Sequence, residues 1–349
     1  MSSNDSLPPN IALMHMVTGY RVSQVLYVTT RLGIADLLKS GPKGSEELAK
    51  TTLSFQPALE RLLRSLVSLG IVTQDPQDRF GLTPLGTYLQ ADHPLSLRPY
   101  ILFIASEPEW QSWGNLEYSV LSGKAAFNSA FGIGLFEYNA QHPEFGEIFN
   151  KGMAAITAGM AWDLVKAYDF SQFERVIDVG GGNGSLLRTI LKANPAVHGV
   201  LFDLPEVVCE AAKLMENTGV SERCEVVGGD FFKMVPEGGN IYILKLILHD
   251  WSDEKAAEIL KSCYNAMDDK ARLLVVEQLS PENVQVSVTH QDSMTRDLNM
   301  LVLFGGGQDR NQTEFRCLFV EAGFDLLQTI PFSTSWNIIE AIKNKKSIS

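Results

Sequence analysis

A chain of 349 residues has room for two domains of ordinary size. Its 29 Lys and Arg stand against 41 Asp and Glu, and the resulting net charge of −12 repels phosphate backbones and argues against broad nucleic-acid binding. With 45% apolar and 20% charged residues it is too apolar for disorder, and no stretch approaches the ~18–20 apolar residues of a membrane span.

Met1 to Asn10 lacks a basic region followed by an apolar run, so no secretory signal is read there. Cys209, Cys224, Cys263 and Cys317 lie far apart without a CxxC pair, which suits a reducing cytoplasm. From Ile11 to Leu38, Leu13, Met16, Val17, Val22, Val25, Leu26 and Val28 give more apolar surface than an isolated helix pair can hide. This predicts packing against a second copy in a symmetric homodimer.

Residues 1–105 read as a mainly helical domain. Ser45 is a candidate cap for a helix through Lys50, and Thr51 to Phe55 reads as a turn. Gln56 to Leu69 follows as a helix with Leu59, Leu62, Leu63, Leu66 and Leu69 on one face, closed by Gly70. Ile71 to Leu82 then reads as a β-wing tipped by Asp75-Pro76-Gln77-Asp78. A winged helix first suggests DNA reading. Charge disagrees: from Ser45 to Arg98 the bases Lys50, Arg61, Arg64, Arg79 and Arg98 meet the acids Glu46, Glu47, Glu60, Asp75, Asp78 and Asp92. A winged helix used for packing is the better reading.

The second domain, residues 106–349, opens with a helical connector over 106–170 that is rich in aromatics and Met. Short apolar runs then alternate with amphipathic segments, the pattern of an α/β Rossmann-like parallel sheet. A strand from Arg175 to Val179 runs into a glycine loop, Gly180, Gly182 and Gly184, and a helix from Ser185 to Ala193. Glycines there let the backbone turn sharply and approach a ligand. Asp178 beside the loop would repel a pyrophosphate but attract a cationic amine. Asp203, ending the next strand, sits where a ribose-hydroxyl acceptor is expected, with Leu204 after it. Together they point to a nucleoside without phosphates, such as S-adenosylmethionine.

The third strand, Cys224 to Val227, leads to Asp230 and Phe231. Asp230 suits an adenine amino group with Phe231 against the ring, or it merely caps a turn. The fourth, Ile241 to Leu248, carries Lys245 and runs into His249-Asp250-Trp251, with Ser252 capping the following helix. His249 stands at the carboxyl end of a central strand, where open α/β sheets place reactive groups, although a solitary His is often structural. The fifth strand, Arg272 to Val276, brings Glu277 to the same edge, as a surface charge or to orient an imidazole. The polar tail from Lys343 is expected to fray.

These motifs in combination closely resemble the two-domain class I S-adenosylmethionine-dependent O-methyltransferases. That family includes plant caffeic acid and isoflavone enzymes, animal acetylserotonin enzymes and bacterial polyketide-tailoring enzymes. The resemblance runs from the winged-helix unit to Ile342. It implies a dimerisation role for the winged helix and gives the glycine loop, Asp203, Asp230, Phe231 and Lys245 to the cofactor, with Trp251 near the adenine. It makes His249 the catalytic base and Glu277 one of two flanking acids. The second acid of the family is commonly Glu in a G-G-x-E-R-T stretch; here the stretch is Gly306-Gly-Gln-Asp309-Arg-Asn311, and Asp309 is one methylene shorter. Phe304 stands where plant members often carry Asn for substrate binding. With Phe149, Met153, Asp250, Met300 and Phe304, the pocket reads as largely apolar, though its Met and aromatic positions suit a core equally well.

The implied activity is methyl transfer from S-adenosylmethionine, without a metal, to a phenolic or other aromatic hydroxyl of a small specialised metabolite, with His249 taking the proton. A phenol near pKa 10 and a His near 6.5 leave transfer before attack uphill by roughly 5 kcal/mol, so the base is expected to act during the displacement. N-methylation and a cofactor-binding relative with another reaction remain alternatives; a winged-helix DNA regulator is disfavoured by charge. Neither nucleic acid nor membrane is expected as a partner.

Overall fold

A computed structural model describes residues 7–344 apart from Asn217 and Thr334; the expected fraying falls mostly outside them. Packing divides the chain into two units, one through Trp110 and one from Gln111. Among the described residues no helix is long and apolar enough to cross a membrane.

The first unit begins with helices α1 (Pro9–Thr18), α2 (Tyr20–Arg31) and α3 (Ile34–Leu37). Strand β1 (Lys43–Gly44), α4 (Ser45–Thr52), α5 (Gln56–Ser68), β2 (Val72–Gln74) and β3 (Arg79–Leu82) follow, and the strands pair antiparallel in the order β1-β3-β2. Leu59, Leu63 and Leu66, spaced for one face of α5, are buried in a core with Ile34, Leu48 and Phe80. Ser45 does not cap α4. It is the first helical residue, behind Gly44, and its Oγ accepts from Gln56 Nε2 at 2.9 Å. The helix also runs two residues past Lys50. The wing turns at Asp78, at φ +57, where Asp75 Oδ1 accepts the N–H groups of Gln77 and Arg79. In α1 and α2, Leu13, Met16 and Val17 are exposed, while Val25 and Leu26 pack on the core. Helix α6 (Arg98–Ile104) adds Ile101 to that core, and the division between units falls within α7 (Glu107–Gly114).

The second unit carries α8 (Leu116–Ser122), α9 (Ala126–Phe131), α10 (Leu135–Gln141) and the long α11 (Pro143–Ala167) ahead of its sheet. The sheet is built from β4 (Arg175–Val179), β5 (His198–Asp203), β6 (Cys224–Gly228), β7 (Ile241–Lys245), β8 (Arg272–Gln278), β9 (Phe324–Pro331) and β10 (Trp336–Lys343), in the order β6-β5-β4-β7-β8-β10-β9. Strands β4 to β8 pair parallel, and β10 joins β8 and β9 antiparallel. Helices α12 (Ser185–Ala193), α13 (Pro205–Met215), α14 (Asp253–Ala266), α15 (Val288–Leu303) and α16 (Gln312–Ala322) complete the unit.

Strand alternation feeds two apolar layers. Tyr242, Leu244, Leu273 and Val275 face α14 and α16, whereas Ile241, Ile243, Leu274 and Val276 face the side of α11, α12 and α13. Full burial of one such side chain contributes about 1.5–3 kcal/mol, so the central strands fix the register. Parallel connections run outward in opposite directions from β4 and β7. The sheet therefore has its switch point between those strands, where open α/β sheets form a ligand crevice.

One strand ends early. β7 was expected to reach Leu248 but stops at Lys245, because Leu246 takes φ +55, a left-handed conformation that no strand can continue. Leu248–Asp250 then forms one turn of 3₁₀ helix.

Candidate active site

The carboxyl end of β4 passes into the glycine loop. Gly180, Gly182 and Gly184 have φ of +70, +58 and +74, a region open to glycine. A Cβ on Gly180 would lie 2.4 Å from the tip of Ile247, and one on Gly184 would lie 2.2 Å from the tip of Met215, so both side chains would have to shift. At Gly182 no atom stands within 4 Å of that position, so the loop presents bare backbone there.

Two acids border the loop. Asp203 Oδ2 accepts the Gly182 N–H at 2.8 Å and Oδ1 accepts the Leu204 N–H at 2.7 Å, which fixes the carboxylate at the end of β5. Burial nevertheless raises its pKa, against those bonds. Asp178 is 1% exposed, and neither oxygen has a hydrogen bond of normal geometry, the Leu187 backbone offering only a weak interaction. Burial pushes its pKa up to about 7, although Lys245 pulls it down.

Beyond β6, Asp230 Oδ1 accepts the Phe232 N–H at 3.0 Å and Oδ2 lies 3.2 Å from Lys233 Nζ, so the residue does cap its turn. Phe231 and Phe232 meet Trp251 edge to face, with centroids 6.2 and 4.7 Å apart.

The turn after β7 carries His249, whose side chain is 12% exposed. Its Nδ1 lies 3.5 Å from both Glu277 Oε2 and Asp309 Oδ1, and its Nε2 lies 3.3 Å from Asp250 Oδ1. Three carboxylates therefore surround one imidazole, and the shorter Asp309 comes as close as Glu277. Glu277 is itself fixed, Oε1 accepting the Ile247 N–H at 3.2 Å. Burial disfavours the imidazolium, but Glu277, Asp250 and Asp309 outweigh it and push the His249 pKa up to about 9. Burial likewise raises Asp250, to about 7, and Glu277, against the attraction of His249. Lys245 is held below its usual range by burial, opposed by Asp178, Glu277 and Asp250.

A residue outside the expected set anchors this turn. Arg310 is 1% exposed, and its guanidinium donates to Leu248 O at 2.7 Å, Trp251 O at 2.8 Å and Asp253 Oδ1 at 2.8 Å. The Gln308 N–H donates to His249 O at 2.8 Å. Gly307 permits the approach, since a Cβ there would stand 2.9 Å from His249 O. Ser252 caps α14 as expected, accepting the Lys255 N–H.

Aromatic side chains line up next to the turn. Phe136 on α10 stacks on Trp251 with centroids 5.9 Å apart at 20°, and its ring also lies 5.4 Å from Phe304 and 6.2 Å from Phe149. Met300 and Phe304 are buried with Phe127 and Leu135, and Phe149 packs on that cluster. Met153 is half-buried on α11, one turn beyond Phe149. Phe136 and Arg310 were missed: Phe136 is one aromatic among many in the connector, and the bonds of Arg310 span about sixty residues, beyond any local signal. Among the described residues no cluster of His, Cys, Asp or Glu is arranged to hold a metal ion.

The chain matches the family model for the O-methyltransferase domain over residues 113–325 and that for the O-methyltransferase dimerisation domain over 14–92. It is 42% identical to phenazine O-methyltransferase PhzM of Lysobacter antibioticus over 96% of this chain and 97% of that protein. It is 35% identical to the 8-amino-8-demethylriboflavin N,N-dimethyltransferase of Streptomyces davaonensis over 92% of this chain and 91% of that one. Human N-acetylserotonin methyltransferase, solved in complex with S-adenosylmethionine, superposes with a TM-score of 0.89 at 28% identity, covering 99% of this chain and 100% of that one.

Proposed function

The chain belongs to the O-methyltransferase family, and on that premise we propose that it methylates a phenolic or other aromatic hydroxyl of a small specialised metabolite, with His249 as general base. The observation that carries the reading is the cage of Glu277, Asp250 and Asp309 around His249 at the carboxyl edge of the sheet.

The residues present fit S-adenosylmethionine. A buried carboxylate without a partner, Asp178, lies under a loop of bare glycine backbone, and a cationic amino-acid end supplies the missing charge. Asp203 and Leu204 would hold the ribose; Asp230, Phe231, Lys245 and Trp251 would serve the adenine end. Bound there, the cofactor supplies an electrophilic methyl group on a sulfonium.

The chain's own task is alignment and proton removal. Phe136, Phe149, Met300 and Phe304 offer a flat ring an apolar wall, with Met153 one turn beyond Phe149 on α11 and Asp250 as the polar contact. His249 accepts the hydroxyl proton as the oxygen attacks, and the three acids stabilise the imidazolium. By raising the His249 pKa toward that of a phenol, the three acids make the proton transfer less uphill than to an ordinary imidazole, and they also hold the proton on His249 until the pH is raised. N-methylation is a second reading, supported by the N,N-dimethyltransferase relative.

The exposed Met16 and Val17 of the dimerisation domain, with Leu13 just ahead of it, support a homodimer, which light scattering at micromolar concentration tests; a monomer there refutes it. Incubating the protein with labelled cofactor and a panel of phenols, indoles and amines, followed by mass spectrometry, tests the activity. Labelled methyl on phenols alone is expected. Label on amines alone establishes the second reading, and no label on any acceptor defeats both.

A further inference from the structure

Arg296 on α15 has no role in the account above, yet it holds one of the three acids of the cage. Its Nε donates to Asp309 Oδ2 at 2.6 Å, while Nη2 reaches Ser293 Oγ at 3.5 Å and Nη1 lies 3.7 Å from Asp292. The Asp309 carboxylate is therefore divided: Oδ2 belongs to Arg296 and Oδ1 faces His249 Nδ1. The same helix holds the backbone of the acid, because the Asp309 N–H donates to Asp297 Oδ1 at 2.9 Å. Asp309 is 6% exposed and Arg296 has a side chain 19% exposed, so the pair is little screened by water.

We propose that Arg296 is a positioning residue that holds Asp309 against His249 and limits how tightly His249 keeps its proton. The inference rests on the reading of His249 as base. Two effects follow from the geometry. A short acid has little reach, and anchoring one oxygen aims the other at the imidazole. The guanidinium also cancels part of the negative potential that stabilises the imidazolium. The charges around His249 are Asp250 in its own turn, Glu277 from β8, Lys245 from β7 and Asp309 with Arg310 from the 304–310 loop; Arg296, Asp297 and Asp292 stand behind Asp309 on α15. Without Arg296 the acids dominate, the proton is held more tightly, and free base appears only at higher pH.

The test uses full-length Arg296→Met and Arg296→Gln, either of which suffices if the other fails to fold, with S-adenosylhomocysteine binding as the check of folding. Ring NMR of histidine-labelled protein follows His249 against pH, and single-turnover methylation at saturating S-adenosylmethionine gives the pH profile. The expected result is an upward shift of the His249 titration by about one pH unit, with the acidic limb of the rate following it and a roughly tenfold loss of rate at pH 7. In an Asp309→Asn background only the direct repulsion of the guanidinium is left, so the same substitution should shift the titration by a different amount, and the difference measures what Arg296 does through Asp309. No shift or a downward shift in the unaltered background, or an equal shift in both, overturns the proposal. The NMR titration needs no turnover. A His249→Ala protein that kept its activity would end the base assignment and leave the Arg296 result standing.

Discussion

Asp178 under the glycine loop and Asp309 beside His249 are both buried acids, but their surroundings differ. Asp309 has Arg296 on one oxygen and the imidazole near the other. Asp178 has no hydrogen bond of normal geometry, and against the cost of burial it has the field of Lys245 and a weak interaction with the Leu187 backbone. A paired acid belongs to the protein's own machinery, whereas an unpaired one is a local instability that a ligand of opposite charge removes. The contrast separates the end proposed as catalytic, where Asp309 is paired, from the end proposed for the cofactor, where Asp178 is not.

The sharpest way to break this contrast is at its catalytic pole. His249→Ala should lower single-turnover methylation by about 10²–10⁴-fold, the usual worth of a general base, while calorimetry finds S-adenosylhomocysteine affinity nearly unchanged. Near-wild-type turnover would make the histidine structural. At the other pole, Asp203→Ala should weaken S-adenosylhomocysteine binding by about 1.5–3 kcal/mol, the value of a charge-assisted bond. Unchanged affinity would remove Asp203 from the site.

Asp178→Asn should separate affinity from stability. A carboxyl raised to about 7 binds a proton in the folded chain that the unfolded chain releases near its ordinary range. Folding stability from this group is therefore lost as pH climbs from about 4 through 7. Measured at pH 8, the ligand-free variant should melt higher than wild type, by a few °C, yet bind S-adenosylhomocysteine more weakly. A lower melting point with unchanged binding would make Asp178 an ordinary structural acid. The smallest effect is expected from Asp309→Glu. Asp309 already comes as near to Nδ1 as Glu277 does, so an extra methylene should give no gain in rate and a slight loss from crowding Arg296. A clear gain would show that the shorter acid falls short.

What the sequence disclosed was local. Strand β4 and helix α12 were read to their end residues, because a β-branched run meets a glycine loop and then an amphipathic helix. Ser252 was read as a cap and is one. Ser45 looked equally suited, but Gln56, eleven residues on, takes its hydroxyl. Leu246 carries no mark of a left-handed residue, so the end of β7 was set three residues late. In the candidate site, His249 and Glu277 could be singled out because strand ends put them on one edge, whereas Asp309 came only from the stretch that resembles the family. Phe136, Arg296 and Arg310 could not, because each acts through contacts between distant segments that no spacing encodes.

Arg310 binds the carbonyls on both sides of His249 and Asp250, those of Leu248 and Trp251. One guanidinium thus anchors the turn proposed as catalytic and the aromatic residue proposed for the adenine, and a change there disturbs both at once. The apolar wall meets that turn through the stack of Phe136 on Trp251. For redesign, Phe149 and Met153 on α11 are therefore the places to trade one aromatic acceptor for another, whereas a change at Phe136 also reaches the turn that carries His249.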